Sequence, residues 1–268
     1  MEIQPSATST RLFCVNTCYE ALLHHNGINS AEALYELQSE TVKKVLKERG
    51  TSRAFLKDPE EGPDIECYIK RYLKPSLKDR FKCALSFKPV FSDGALHEWD
   101  ALCAFHRNGL NTMEPVAAGT IGSKTCNLTL GITAYIRASA LFREELQNDP
   151  ERRNRLVKKI ADYAARMHNA GLTHQDFYLV HLFIKPQEED AVYLIDLQRV
   201  LIQKRPAWRW VVKDLAQIRF ALKPFITEEE AELFREIYVS IRPLPRRIWR
   251  AVETKSERIH QHSKKRKL

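Results

Sequence analysis

The sequence predicts an α+β fold with two lobes, a small β-rich N-terminal lobe and a mainly helical C-terminal lobe. Strand-like alternation of apolar and polar residues at residues 65–70 predicts the first lobe. Apolar residues at helical spacing beyond residue 156 predict the second. A chain of 268 residues is long enough for two modest lobes. We therefore expect an N-terminal lobe with a helical extension at residues 1–136, and a C-terminal lobe with a basic tail at residues 137–268.

The net charge of +9 stands out in a composition that is otherwise ordinary for a globular protein, with 44% hydrophobic and 29% charged residues. This excess of positive charge favours an anionic partner, which can be a nucleotide, an acidic lipid surface, a nucleic acid or an acidic protein. The basic run at residues 264–267 lacks the interleaved aromatic side chains of a single-strand binder. We therefore expect no specific nucleic acid.

The chain shows no signal for secretion or for a membrane span. Its N-terminus lacks a basic region followed by an apolar run, and no stretch reaches the roughly 20 apolar residues that cross a bilayer. Six cysteines lie scattered, without the paired spacing of a zinc site, as expected for reduced thiols. We expect a cytoplasmic protein, with peripheral contact to the anionic inner face of the membrane left open.

The N-terminal lobe is predicted to begin with two short helices at residues 29–46, the first of them capped by Asn29. Residues 49–63 contain glycine and proline and predict a hairpin region. In the strand that follows, aliphatic and polar side chains alternate, which places Lys70 on the face opposite the aliphatic ones. A basic linker is expected at residues 71–88.

A helix is predicted at about residues 94–107, with Asp93 as its N-cap and Gly109 as its end signal. Glu98 lies inside it, one position before an apolar residue of the buried stripe. Considered alone, Glu98 is best explained as a surface glutamate on a solvated helix face.

The segment at residues 171–184 is the strongest candidate for a functional site. A helical stripe at residues 156–167 leads into it, and a later apolar run ends in a carboxylate. Considered singly, its polar residues are best explained as a turn residue, a hydrogen-bonded core histidine and a strand-end cap. Their combination indicates a site. The residues concerned are His174, Asp176, His181 and Asp196.

Helical segments are predicted for the remainder of the chain. Residues 214–222 favour one helix, and Thr227 with Glu230 forms the capping box of another. Pro243 and Pro245 interrupt the pattern, and we expect the basic tail after them.

The order of these parts is that of a kinase-like fold: a strand with a lysine, a helix with a glutamate, a long helix, a His-x-Asp loop, and a strand ending in aspartate. Lys70 can neutralise nucleotide phosphates while Glu98 holds its ammonium group. Asp176 can accept the proton of an attacking hydroxyl, and Asp196 offers hard oxygen to Mg²⁺. The spacing matches H-R-D-x-x-x-x-N, with His181 where the asparagine stands.

Several segments resemble the lipopolysaccharide core heptose kinases and the related Kdo kinases. They are residues 97–99, 109–115, 174–184, 194–199 and 208–215. The resemblance implies a fold similar to that of eukaryotic-type kinases, and transfer of phosphate from ATP to a sugar hydroxyl of the lipopolysaccharide inner core.

The resemblance also implies roles for individual residues. It makes Lys70 the phosphate-binding lysine with Glu98 as its partner, and Asp176 the catalytic base. Asp196 becomes the Mg²⁺ ligand. His181 is expected to assist at the metal, or to hydrogen-bond Asp176 or a phosphate.

Four further residues receive supporting roles. Ser52 and Arg53 are expected to approach the phosphates of ATP, although their segment has a single glycine and is not an ordinary glycine-rich loop. Asp214 is expected to support the catalytic loop from the helix below it. His174 is expected to brace the same loop.

Other functions stay open at this point. A kinase for another small hydroxyl substrate, such as an aminoglycoside or a free sugar, is the first alternative. A catalytically silent kinase-like binding module is the second, and the presence of Lys70, Glu98, Asp176 and Asp196 together argues against it. A basic nucleic-acid-binding protein ranks last.

Overall fold

The computed structural model describes residues 13–46, 49–73, 94–188 and 190–265. The chain divides into two compact units. The first comprises the described residues up to Cys103 together with Met113–Thr133, and the second comprises Ala104–Thr112 and the described residues from Ala134 onward. The first unit is built on a β-sheet and the second is mainly helical, as the fold class predicted from the sequence requires. The lobe boundary predicted between residues 136 and 137 stays a prediction.

A six-stranded antiparallel sheet forms the first unit, with β4 near its middle between β3 and β6. The strands follow the order β1-β5-β6-β4-β3-β2 across the sheet. Their bounds are Phe13–Val15 (β1), Glu40–Leu46 (β2), Arg49–Leu56 (β3), Ile65–Leu73 (β4), Pro115–Ile121 (β5) and Lys124–Leu130 (β6).

Different helices cover the two faces of this sheet. Successive side chains of a strand point to opposite faces, so each strand contributes to both contacts. On one face, buried Cys67 and Ile69 join a core with side chains of the short helices α1 (Glu20–His25) and α2 (Ala31–Tyr35). On the other face, Ala118 packs against Leu96, Trp99 and Cys103 of helix α3 (Ala95–Arg107). Gly109 ends the turn after α3 with a φ of 62°, as predicted.

One helix and one helix cap predicted for the first unit are wrong. The second helix expected within residues 29–46 is strand β2, whose Thr41 and Val42 are β-branched and favour strands, and whose backbone pairs with β3. The hairpin predicted at residues 49–63 is confirmed, since β3 pairs antiparallel with β4 on the other side of residues 57–64. Helix α2 is capped by Ser30 rather than Asn29. The expected linker beyond Leu73 and the Asp93 cap lie outside the described residues.

The second unit consists mainly of helices that pack in pairs, α5 with α7 and α6 with α8. A three-stranded sheet β10-β9-β7 and a two-stranded pair β11-β8 accompany them. The helices are Ala138–Glu144 (α4), Pro150–Asn169 (α5), Trp208–Leu222 (α6), Glu228–Ile241 (α7) and Arg246–Lys265 (α8). The strands are Ile136–Arg137 (β7), Leu172–Thr173 (β8), Leu182–Lys185 (β9), Ala191–Leu194 (β10) and Leu201–Ile202 (β11).

The C-terminal segment is a helix, so the prediction of a basic tail is wrong for Arg246–Lys265. Trp249, Val252 and Ser256 are buried at helical spacing, which gives this basic segment an apolar face that the charge count conceals. The capping box that begins α7 is confirmed, since Thr227 and Glu230 exchange both of its hydrogen bonds. Within the described part of the chain, no helix has the length and apolar character needed to cross a membrane.

Gly171 fixes the direction of the chain between α5 and β8. Its φ is +83°, a conformation that glycine adopts easily and other residues adopt at a cost. Its carbonyl accepts a hydrogen bond from the Gln203 amide at 2.9 Å. A Cβ at position 171 would overlap the Gln203 carbonyl oxygen, so the approach of these two backbone segments also requires glycine.

Replacing Gly171 with alanine should therefore destabilise the protein by roughly 3 kcal/mol or more, because the overlap with the Gln203 carbonyl oxygen adds to the backbone strain of a positive φ. Gly109→Ala is the matched control, since its φ is also positive but its Cβ would meet only Arg166 at an ordinary 3.5 Å. We expect the control to cost about 1–2 kcal/mol. Urea unfolding of both variants measures the difference, and equal losses would contradict the role of the Gln203 contact.

Candidate active site

Lys70 and Glu98 form a buried ion pair in the first unit. Strand β4 places Lys70 on the sheet face that packs against α3, and Nζ lies 2.5 Å from Oε1 of Glu98. The two side chains are 15% and 0% exposed. The predicted pairing is thus observed. The alternative of a solvated surface glutamate is excluded, because the carboxylate of Glu98 has no access to water.

Two more donors hold the Glu98 carboxylate. Oε2 accepts hydrogen bonds from the Tyr72 hydroxyl at 2.8 Å and from the Asn127 amide at 3.1 Å. Neither residue was predicted from the sequence. Tyr72 could have been predicted, because a residue two positions after Lys70 in a strand shares its face. Asn127 carries no such local signal, since only the β4–β6 register, which pairs it with Lys70, brings it there.

Ser52 and Arg53, both expected to approach the phosphates of ATP, lie on opposite faces of strand β3. Ser52 pairs with Ile69 in the β3–β4 register, so its side chain lies on the opposite face from Lys70, and it is only 7% exposed. Arg53 shares the face of Lys70, but its guanidinium donates to Glu40 at 3.1 Å and stacks on Phe55. The register thus argues against the Ser52 hydroxyl as a ligand in the same place as Lys70.

In the second unit, the Asp176 loop (residues 174–181) follows α5 and β8 and is held by a buried carboxylate. The amides of His174 and Gln175 donate to the two oxygens of Asp214, at 2.7 and 2.8 Å. These bonds secure Gln175 in a conformation with φ of 69°, which is strained for a residue with a side chain. The predicted supporting role of Asp214 is confirmed.

His168 connects Asp214 to helix α7. Its Nε2 lies 3.4 Å from Oδ2 of Asp214, and its Nδ1 lies 2.7 Å from the hydroxyl of Tyr238. A neutral ring satisfies both neighbours by donating from Nε2 to the carboxylate and accepting at Nδ1 from the hydroxyl. Burial lowers the pKa of His168 below its ordinary value of 6.5, more than nearby Asp214 raises it. The ring is therefore neutral at neutral pH.

His174 braces the loop from inside, in agreement with the role expected for it. Its buried ring lies 3.1 Å, through Nε2, from the backbone carbonyl of Ile195, where the ring nitrogen donates. Burial lowers the pKa of His174, so this ring also stays neutral. The bond ties the Asp176 loop to the residue that immediately precedes Asp196.

The structure brings Asp176, His181 and Asp196 together. Nδ1 of His181 lies 2.8 Å from the backbone carbonyl oxygen of Asp176 and donates to it, while Nε2 lies 3.9 Å from Oδ2 of Asp196. The Asp176 side chain is 30% exposed, and its Oδ2 lies 3.8 Å from Nη1 of Arg199. A partly exposed carboxylate on a braced loop is able to meet a substrate hydroxyl.

The residues present fit a magnesium ion that takes few ligands from the protein and the others from phosphate oxygens and water. Within the described ranges, no group of three or more His, Cys, Asp or Glu side chains is placed to hold a metal ion. Magnesium is usually held by only one or two carboxylates, with phosphate oxygens and water as its other ligands. Asp196 supplies such a carboxylate, with φ of 64° at the end of strand β10.

The neutral state of His168 predicts that acid destabilises the protein. The unfolded state takes up a proton near pH 6.5, whereas the buried ring takes it up only at lower pH, so stability falls as pH drops below about 6.5. Each such histidine contributes at most about 1.4 kcal/mol per pH unit to this slope. His168→Gln should reduce the slope, and unfolding free energies measured across the acid range test it.

His262→Gln is the control for this measurement. It removes a histidine that α8 exposes to solvent, and we expect the slope of the wild type. A His168→Gln protein that keeps the full acid dependence would contradict the proton linkage.

Comparison with known proteins places this arrangement in a family. Residues 32–238 match the lipopolysaccharide kinase (Kdo/WaaP) family. A lipopolysaccharide core heptose(I) kinase WaaP of Pseudomonas aeruginosa is 31% identical over 192 residues, which cover 64% of this chain and 71% of that protein. The protein of the same name from Escherichia coli K12 is 26% identical over 220 residues, which cover 75% and 82%.

Two solved structures share the fold. A structure of WaaP in complex with acyl carrier protein has a TM-score of 0.71 at 22% identity, and the match covers 92% of this chain and 98% of that one. An aminoglycoside-3'-phosphotransferase of type VIII has a TM-score of 0.51 at 14% identity, with 81% and 93% covered. The fold is protein-kinase-like, with a β-rich and a mainly helical part. The chain belongs to the lipopolysaccharide kinase (Kdo/WaaP) family and is a phosphotransferase with an alcohol group as acceptor.

Proposed function

We propose that the protein transfers the γ-phosphoryl group of ATP to a hydroxyl of heptose in the lipopolysaccharide inner core, from the cytoplasmic side of an anionic membrane surface. The observation that carries the proposal is the Asp176 loop, which Asp214 supports from below and which lies beside Asp196. The names of the relatives from Pseudomonas aeruginosa and Escherichia coli support heptose as the acceptor sugar.

Asp176 is the proposed catalytic base. Its backbone is tied by His181 and its side chain is partly exposed, so the carboxylate is available to orient a hydroxyl and accept its proton as the oxygen attacks. The second unit therefore contributes the group that activates the acceptor.

Lys70 is the proposed ligand of the nucleotide phosphates. Glu98 holds its ammonium group, and Tyr72 and Asn127 share in stabilising that carboxylate. Because Glu98 has these two further donors, it keeps partners when the ammonium also interacts with phosphate.

Asp196 is the proposed ligand of Mg²⁺, with His181 next to it. Magnesium, when bound, neutralises the charge of the transferring phosphate. Since Nδ1 of His181 donates to the Asp176 carbonyl, a neutral ring leaves a lone pair on Nε2 toward Asp196. A cation between these two groups relieves the repulsion between lone pair and carboxylate.

Replacing Lys70 with methionine should weaken ATP binding and destabilise the protein. The buried Glu98 carboxylate loses its cation, which typically costs about 3–5 kcal/mol. Lys57→Met is the matched control, because Lys57 is 72% exposed in its pair with Asp64 and should contribute below about 1 kcal/mol. Titration calorimetry with ATP and urea unfolding provide the two readouts. Unchanged ATP affinity in folded Lys70→Met would refute its role.

Asp176→Asn should abolish activity while the fold persists. Loss of a general base typically lowers turnover by about 10²–10⁴-fold. The assay uses labelled ATP with lipopolysaccharide cores, free sugars and aminoglycosides as acceptors, and we expect label in the core heptose. Asp162→Asn, which removes an aspartate that is 45% exposed on α5, should keep wild-type turnover.

The acceptor panel also separates the proposal from its alternatives. Labelling of an aminoglycoside or a free sugar alone would replace heptose by another small hydroxyl substrate. Labelling of no acceptor at all would favour a silent binding module. Full turnover by folded Asp176→Asn would contradict the assignment of the base.

A further inference from the structure

Basic side chains cluster around the proposed catalytic base. Arg199 lies 3.8 Å from the Asp176 carboxylate, and Lys213 of helix α6 donates to the side-chain oxygen of the adjacent Gln175 at 3.4 Å. Two separate segments of the second unit, the turn after Asp196 and helix α6, thus place positive charge at the Asp176 loop.

Lys213 lies partly buried among charges of both signs. Burial is the main cause that lowers the pKa of Lys213, and the positive charges of Arg199 and Lys255 act in the same direction, whereas the carboxylates of Asp214 and Asp176 raise it. The Asp214 carboxylate already accepts two backbone hydrogen bonds from the Asp176 loop. An anion bound beside Lys213 would favour its charged form.

Arginines that stabilise the fold elsewhere in this unit are paired more closely. Arg152 contacts Asp190 at 2.8 and 2.9 Å, and Arg153 contacts Glu230 at 2.7 Å. The 3.8 Å between Arg199 and Asp176 exceeds hydrogen-bond distance, and the Arg199 side chain is 52% exposed. Arg199 therefore has the exposure of a ligand-binding side chain, in contrast to these structural arginines.

We propose that Arg199 and Lys213 bind an anionic substituent of the acceptor, a carboxylate or a phosphate, next to the hydroxyl that Asp176 activates. The inference rests on the proposed function and narrows it to sugars that carry negative charge near the reacting hydroxyl. Guanidinium and ammonium groups form strong charge-assisted hydrogen bonds with both anions. These residues then determine which acceptor is chosen.

The proposal predicts an effect on acceptor affinity. Loss of one charge-assisted contact should raise the KM for an anionic acceptor about 10-fold to 100-fold. The KM for ATP and the turnover at saturating acceptor should change little. If the cluster instead stabilised the transferring phosphoryl group, turnover would fall equally for charged and neutral acceptors.

The test compares Arg199→Gln, Lys213→Met and the charge-conserving Arg199→Lys with the wild type. The probes are a heptose-containing core oligosaccharide, its carboxyl-reduced form and its dephosphorylated form. We expect the first two variants to lose affinity for the native oligosaccharide and for the form that keeps the recognised anion, but not for the form that lacks it. Arg199→Lys should retain part of the affinity. Arg258→Gln, which removes an exposed arginine from α8, is the control.

Calorimetric binding of the same oligosaccharides without nucleotide decides the proposal independently of turnover. Weaker binding of one neutralised form by the wild type supports it and identifies the anion as carboxylate or phosphate. Equal binding of all three forms, or equal losses by Arg199→Gln on all of them, overturns it. If the wild type phosphorylates no core oligosaccharide, the proposed function fails, and the binding comparison still decides whether the cluster recognises an anion.

Discussion

The buried carboxylate of Asp214 is the constraint on which the second unit depends. It accepts the amides of His174 and Gln175, which hold the Asp176 loop in a backbone conformation that Gln175 would not adopt alone. Through His168 the same carboxylate is tied to Tyr238, so helices α5, α6 and α7 all contribute to the placement of one loop. Two backbone N–H dipoles and the neutral imidazole of His168 stabilise the negative charge of Asp214. These contacts use no flexible cationic side chain.

Glu98 is the corresponding buried carboxylate of the first unit, but different groups stabilise its charge. Both carboxylates are fully buried and accept several hydrogen bonds, but among the described residues the donors to Glu98 are all side chains, one of which is the ammonium group of Lys70. Side-chain partners can rearrange when a phosphate approaches, whereas backbone amides of a braced loop cannot. The difference suits the proposed phosphate-binding role of Lys70 in one case and the proposed catalytic role of the Asp176 loop in the other.

Features set by neighbouring residues were predictable from the sequence, and features set by strand register were not. The capping box of α7 and the turn at Gly109 follow from local chemistry and are confirmed. The pairing of Lys70 with Glu98 was predicted from the kinase-like order of the elements and from the family resemblance, since no local pattern links residues in a strand and a distant helix. Strand β2 was mistaken for a helix because Val42 and Val45 also fit helical spacing, and the face of Ser52 depends on pairing that only the sheet reveals. Helix α8 was not predicted because its many charged residues obscure the apolar stripe, although Trp249 and Val252 mark its buried face.

His181 shows how a histidine can occupy a position where kinases usually carry asparagine. An asparagine side chain has one oxygen and one nitrogen at the same end, so a single group must serve both the loop and the metal. The imidazole separates these tasks across the ring: Nδ1 donates to the Asp176 carbonyl, and Nε2 faces Asp196 at 3.9 Å. When the ring is neutral, the proton on Nδ1 leaves the electron pair of Nε2 on the side of the carboxylate. The contact that holds the loop of the proposed base would then also orient the ring toward the proposed cation site, and the loop itself depends on the support that Asp214 gives from below.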